Sequence, residues 1–248
     1  TGTFASRGAV VAGNAINEAA RDVRRKILDL AGEIFEVSLD DLELSDGAVR
    51  VKGVPDRSIP LGELAGLANP LRGAVRPGTE PGLEATNYFG PARGTTSNGV
   101  HAAIVEVDPE TLDVKILKYV VVHDCGVVIN PLILDGQVHG GVAQGIGNAF
   151  YERLYFDENG QLLNATFMDY LLPTALQVPE IQVGHVTTPS PLNPMGTKGA
   201  GEAGAIPVSA VFVQAIENAL QIDGLEIREI PLSPHRLWEI TTEATRTG

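Results

Sequence analysis

A single carboxylate stands in a glycine-rich stretch late in the chain. Residues 193–204 read Asn-Pro-Met-Gly-Thr-Lys-Gly-Ala-Gly-Glu-Ala-Gly, with Glu202 among four glycines and close to Lys198. Glycines let a backbone come close to a bound group. An apolar helix candidate, Pro207 to Leu220, follows at once, and a helix start points free N–H groups at whatever binds there. Glu202 reads as a proton-transfer base, as an acid helped by the helix dipole, or as a solvated loop residue.

Gly199 to Gly204 also matches G-x-G-x-x-G. A dinucleotide site, and with it an NAD-dependent dehydrogenase, requires a strand before that pattern and an acid about twenty residues on. A loop with Pro189, Pro191 and Pro194 precedes it instead, and only a few residues separate the helix from Asp223. Lys198 precedes the glycines, so the stretch is not a P-loop. His123 and Cys125 flank Asp124 and could share a strand face, but no matching ligand pair completes a zinc set. His101, His139, His185 and His235 lack metal-site spacing, and no G-x-S-x-G marks a nucleophilic serine. Gln137 and Gln144 read either as a polar helix face or as amides that recognise a polar cofactor, since an amide both donates and accepts.

The elements that must position these groups follow from periodicity. Ile16, Ala20, Val23, Ile27, Leu30 and Ile34 predict one apolar helix face. Ser45-Asp46-Gly47 between Leu42–Leu44 and Ala48–Val51 predicts a hairpin. A short helix is expected within 58–68. Residues 69–98, rich in Pro and Gly, read as an irregular functional or inter-domain stretch. Val100–Val107 and Val114–His123 predict an antiparallel hairpin.

After Asn130-Pro131, a helix to about Ala149 carries the apolar row Leu134, Val138, Val142, Ile146 and Phe150 beside Gly136, Gly140, Gly141 and Gly145. Each interior glycine costs about 1 kcal/mol of helix stability against alanine, so four of them ask for a packing or binding reason. A second hairpin is expected around Asp157 to Gly160, a strand over 181–186 and a short helix over 233–240. Hairpins mixed with helices, without regular alternation, give an α+β fold class. It is read as one region, 1–248, with a possible division into lobes 1–98 and 99–248.

Of 248 residues, 31 are acidic and 18 basic, a net charge of −13. That balance repels phosphate backbones and anionic membranes, so neither nucleic acid nor membrane is an expected partner. One cysteine rules out an internal disulfide and fits a reducing, cytoplasmic setting. Thr1 already lies within sequence that reads as ordered, as expected of a fragment or a processed chain.

Four ordered motifs together resemble the molybdenum hydroxylases: xanthine dehydrogenases, aldehyde oxidases and aerobic carbon monoxide dehydrogenases. They are Thr3-Phe4-Ala5-Ser6-Arg7-Gly8 with Gly13, His123 to Pro131, the glutamine–glycine helix Gly136 to Gly147, and Lys198-Gly199-Ala200-Gly201-Glu202. A Ser-Pro-His-Arg-Leu-Trp tail accompanies them.

The resemblance implies half of a molybdenum-cofactor-binding domain, the C-terminal part of a large subunit. It implies molybdopterin, in the cytosine dinucleotide form usual in bacteria, holding the metal without protein ligands. It implies oxidative hydroxylation of an aldehyde, an N-heterocycle or carbon monoxide with oxygen from water. The glutamate matching Glu202 would be the base acting on a metal-bound hydroxide. Gln137, Ala5, Ser6 and Arg7, with Gly140, Gly141, Lys198 and Gly199, would hold the cofactor. Iron–sulfur clusters and FAD would sit on partner chains or domains of a hetero-oligomer, together with the upstream half of the subunit. The competing expectation is a scaffold or assembly fragment that binds no cofactor.

Overall fold

The computed structural model describes residues 2–72 and 80–247. Two compact units make up the chain: Val11–Gly90, and Thr1–Val10 together with Pro91–Gly248.

In the Val11–Gly90 unit, helix α1 (Asn14–Phe35) is followed by strands β1 (Leu42–Ser45), β2 (Ala48–Val51) and β3 (Val54–Pro60), then helix α2 (Leu61–Leu67). The strands form an antiparallel sheet in the order β1-β2-β3. The Asp-Gly turn is present as expected. Asp46 and Gly47 both have positive φ, the backbone that lets a two-residue turn follow the twist of its strands. Strand β3 was not foreseen, and it takes the first residues of the expected 58–68 helix.

The buried face of α1 is turned from the expected row. Ile27 is buried together with Leu28, Ala31 and Gly32, while Ile16 is 70% and Ile34 39% exposed. Gly32 explains the turn: a Cβ there would lie 3.0 Å from Leu39 Cδ2, so the helix comes closest on its side-chain-free side. Residues 73–79, with Pro77, lie outside the described residues; elsewhere in 69–98 the chain is mainly irregular.

The other unit holds strands β4 (Asn98–Val107), β5 (Val114–Asp124) and β6 (Ile181–His185) with helices α3 (Pro131–Phe150), α4 (Val208–Leu220) and α5 (Pro234–Thr247). Strand β5 is central, antiparallel to β4 and parallel to β6. Asn130 caps α3, its side chain accepting from the Ile133 amide, and Pro131 fills the first helical position. Leu134, Val138, Val142 and Ile146 are all buried and join Tyr119, Val121, Phe212, Ile216 and Leu237 in one core.

The hairpin expected around residue 158 is reduced to one bridge, Phe156 to Leu162. Asn164 replaces the ladder: its side chain accepts from the Tyr155 amide at 2.9 Å and donates to the Arg153 carbonyl at 2.6 Å. The tail helix runs past residue 240 to Thr247, with Thr241 and Thr245 hydroxyls bonded back to carbonyls one turn earlier. The mixed sheet, hairpins and helices make an α+β fold. Among the described residues no helix is long and apolar enough to cross a membrane.

Candidate functional site

Two cavities meet at one wall. The larger, about 720 Å³, is bordered by Thr3 to Ser6, by Cys125 and Val127 to Asn130, by Gln137, and by Lys198 and Ala200 to Glu202. The smaller, about 490 Å³, lies between the α3 glycines, Gly201 to Ile206 and the start of α4. Gln137, Gly201 and Glu202 border both. Gln137 Nε2 donates to the Gly201 carbonyl at 2.6 Å, so the helix side chain fixes the peptide just before the carboxylate.

Glu202 itself is exposed. Its carbonyl accepts from the Ala205 and Ile206 amides. Its carboxylate has no hydrogen-bond or ion-pair partner among the described residues. Helix α4 begins only at Val208, so Glu202 lies outside the first helical turn and the capping reading is not realised. The chain enters Gly199–Gly204 from a loop rather than a strand, which removes the setting that a dinucleotide fingerprint needs.

The glycines divide into two kinds. Gly141, Gly145 and Gly204 are contacts: a Cβ on Gly141 would lie 2.8 Å from Gly204 Cα, and one on Gly145 would lie 2.5 Å from Val208 Cβ. Gly136 and Gly140 border the smaller cavity and would meet nothing within 4 Å. The first kind brings α3 against the Glu202 turn and α4; the second leaves room for a bound group.

The N-terminal motif docks on the same loop. Ala5 and Ser6 both have positive φ, a backbone uncommon outside glycine. Ser6 Oγ accepts from the Ala200 amide at 3.1 Å. Gly199 sits against that oxygen, and its amide bonds the Thr95 carbonyl. Arg7 does not border the larger cavity; its guanidinium lies over the Phe4 ring, 5.0 Å from the centroid.

Lys198 borders the larger cavity, but its ammonium is engaged by Asp124 at 2.8 Å, both side chains nearly buried. Asp124 also accepts from the amides of Gly126 and Thr188. Burial alone would raise the Asp124 carboxyl, but Lys198 and these amides outweigh it and hold it well below the usual carboxylate range. Asn193 closes the loop from below, donating to the Thr197 carbonyl and accepting from the Thr197 amide.

Neither Asp124 as a hub nor Asn193 as a lock was foreseen. The prolines of the stretch around Asn193 marked only a loop, and a charge pair spanning 74 positions leaves no local pattern.

His123 and Cys125 are not a ligand pair: His123 is in the interior, 1% exposed, whereas Cys125 borders the larger cavity. Burial pushes the Cys125 thiol up. Among the described residues no three His, Cys, Asp or Glu side chains are grouped to hold a metal ion. A molybdenum ion held by its pterin asks for something else: space, close backbone approach and neutral polar groups. Open glycines at 136 and 140, the Gln137 amide and the linked cavities fit those needs.

This combination defines a cofactor-binding domain. The chain belongs to the molybdopterin cofactor-binding domain family, whose family model matches residues 1–179. It is 39% identical over 241 residues to the nicotine 6-hydroxylase large subunit of Paenarthrobacter nicotinovorans, covering 97% of this chain and 30% of that protein. It is 35% identical to the carbon monoxide dehydrogenase large chain of Hydrogenophaga pseudoflava, covering 98% of this chain and 30% of that one. The fold matches the crystal structure of quinoline 2-oxidoreductase from Pseudomonas putida 86 with a TM-score of 0.87 and 41% identity, covering 98% of this chain and 31% of that one. The chain thus spans under a third of the length of these relatives.

Proposed function

We propose that this chain is the molybdenum-cofactor-binding part of an oxidoreductase that hydroxylates a small organic molecule or carbon monoxide with oxygen from water. The observation that carries this reading is the wall shared by the two cavities, where Gln137 holds the Gly201 peptide and leaves the adjacent Glu202 carboxylate unpaired. The cofactor expected there is molybdopterin, in its cytosine dinucleotide form. When bound, it supplies oxygen-atom and two-electron transfer.

The residues of this chain bind, orient and move a proton. Open backbone at Gly140 and the Gln137 amide receive the cofactor. Ala5 and Ser6 shape the facing loop, which the Ser6–Ala200 bond secures. Gly141, Gly199 and Lys198 act one step back: Gly141 by close approach, Gly199 by its seat on Ser6, Lys198 by its pair with Asp124. Arg7 braces Phe4.

Glu202 takes the proton at a carboxylate oxygen. Glu202 is exposed in this chain, so whatever excludes water from it lies on the surface that covers the cavity. Partners in this reading are the rest of the large subunit and subunits carrying iron–sulfur clusters and FAD, in the cytoplasm. Similarity to proteins named for nicotine and quinoline supports an N-heterocyclic substrate ahead of an aldehyde or carbon monoxide.

The test is metal analysis of the chain assembled with the rest of its subunit, coupled to turnover of quinoline-type and aldehyde substrates. About one molybdenum per active assembly is expected on the rule that the cofactor carries the chemistry. An assembly that lacks molybdenum would return the chain to a scaffold role.

A further inference from the structure

One segment carries apolar side chains that this chain does not bury. Residues 151–180 contain no helix or extended strand, only the Phe156–Leu162 bridge. Their backbone course is nevertheless fixed. Asn164 ties 153 to 155, and Tyr170 Oη donates to Glu152 at 2.6 Å. Thr174 bonds Gln177, and Pro173 lies beside Gly147. Within this fixed path Phe156 is 57% exposed, Leu163 61%, Phe167 83%, Met168 91% and Leu176 94%. Single exposed apolar residues are ordinary, but a concentration of large ones marks an interaction surface.

We infer that residues 154–176 form a docking strap for the remainder of the large subunit, the part of the relatives' length that this chain does not span. The inference rests on the partner named under the proposed function. Two observations select that occupant over a second copy of the chain. The match covers only 30% of a relative such as the nicotine 6-hydroxylase large subunit, so most of such a subunit is available to cover the strap. The chain also carries a net charge of −13. Residues 152–180 hold five acids, Glu152, Asp157, Glu158, Asp169 and Glu180, and a single basic residue, Arg153. A two-fold contact would set these carboxylates against their own copies. The surface that covers the strap is therefore apolar with basic groups at its edge.

Methionine oxidation reads this directly, because sulfoxide formation follows exposure. The chain has two methionines, Met168 in the strap and the half-buried Met195 outside it. Dilute peroxide is applied to the isolated chain and to the complete large subunit, sites are quantified by mass spectrometry, and molybdenum is measured in the same samples. Met168 is expected to oxidise about tenfold more slowly in the complete subunit, following its loss of exposure.

Equal Met168 rates in a molybdenum-loaded subunit overturn the strap while leaving the proposed function intact. Protection of Met168 in a subunit that takes up no molybdenum supports the strap and counts against the function. Protection in the isolated chain that grows with concentration, alongside a doubled mass in solution, assigns the surface to a second copy and overturns the inference. As a second check, Phe167→Asp with Leu171→Asp, the latter at a leucine that is 57% exposed, should lower recovery of the complete subunit while the isolated chain keeps its melting temperature. Unchanged recovery contradicts the docking role.

Discussion

Gly141 on α3 faces Gly204 so closely that a methyl group on Gly141 would lie 2.8 Å from the Gly204 Cα. The contact joins a helix to the turn carrying Glu202, with no side chain between them.

Glycines on one helix should therefore respond in opposite ways to the same change. Gly141→Ala overpacks the contact and should cost about 1–3 kcal/mol, lowering Tm by several degrees for a unit of this size. Gly140→Ala meets nothing within 4 Å and should stabilise the helix by up to about 1 kcal/mol, yet reduce the molybdenum retained by the assembled subunit. Thermal melts and metal analysis of both variants check the pair of outcomes. Full metal retention by Gly140→Ala would remove Gly140 from the cofactor wall.

Glu202→Gln should leave Tm unchanged, because the carboxylate is exposed and unpaired. Turnover of the assembled enzyme should fall by a factor of about 10²–10⁴, the usual scale for a proton-transfer group, with molybdenum content unchanged. Steady-state rates beside metal analysis test it, and near-normal turnover would make Glu202 a solvated loop acid.

Asp124→Asn leaves the Lys198 ammonium nearly buried without its counter-charge. Loss of one partner of such a pair costs about 3–5 kcal/mol. Chemical denaturation should show this as a lower midpoint. Lys198→Met together with Asp124→Asn should recover part of the loss, since neither side chain then carries an unpaired charge.

Acid should weaken the fold in two stages. Burial, then neighbouring histidine charge, pushes His123 down, and burial likewise lowers His101. Neither ring nitrogen of His123 has a hydrogen-bond partner among the described residues. A base whose folded pKa is depressed takes up protons first in the unfolded chain, so stability is full above about pH 6.5 and is lost as pH falls below it. Asp124 has a depressed carboxyl pKa, so its contribution is present above about pH 3.9 and is lost on further acidification. Calorimetry from pH 8 to pH 5 should show Tm declining through the histidine window, with a shallower slope for His123→Phe. A flat profile would contradict the buried neutral state.

The motifs that border the two cavities were legible because they are short and contiguous. The apolar row of α3 and the Asp46-Gly47 turn were readable for the same reason: period and turn chemistry act within a few residues. What the sequence concealed acts at a distance. The turned face of α1 depends on Gly32 meeting Leu39. The missing hairpin depends on the side chain of Asn164 rather than on turn residues. The division of the α3 glycines into contacts and open positions depends on where Gly204 and Val208 arrive in space.

The Ser6–Ala200 bond connects positions 194 apart. Closing so long a loop carries an entropic cost that grows with its length, and contacts of this separation form late in folding. During synthesis the Val11–Gly90 unit is already made when Ala200 is added to the chain. The loop at Ala5 and Ser6 must wait for Ala200, so this wall of the cavity closes only after the whole Val11–Gly90 unit has been synthesised.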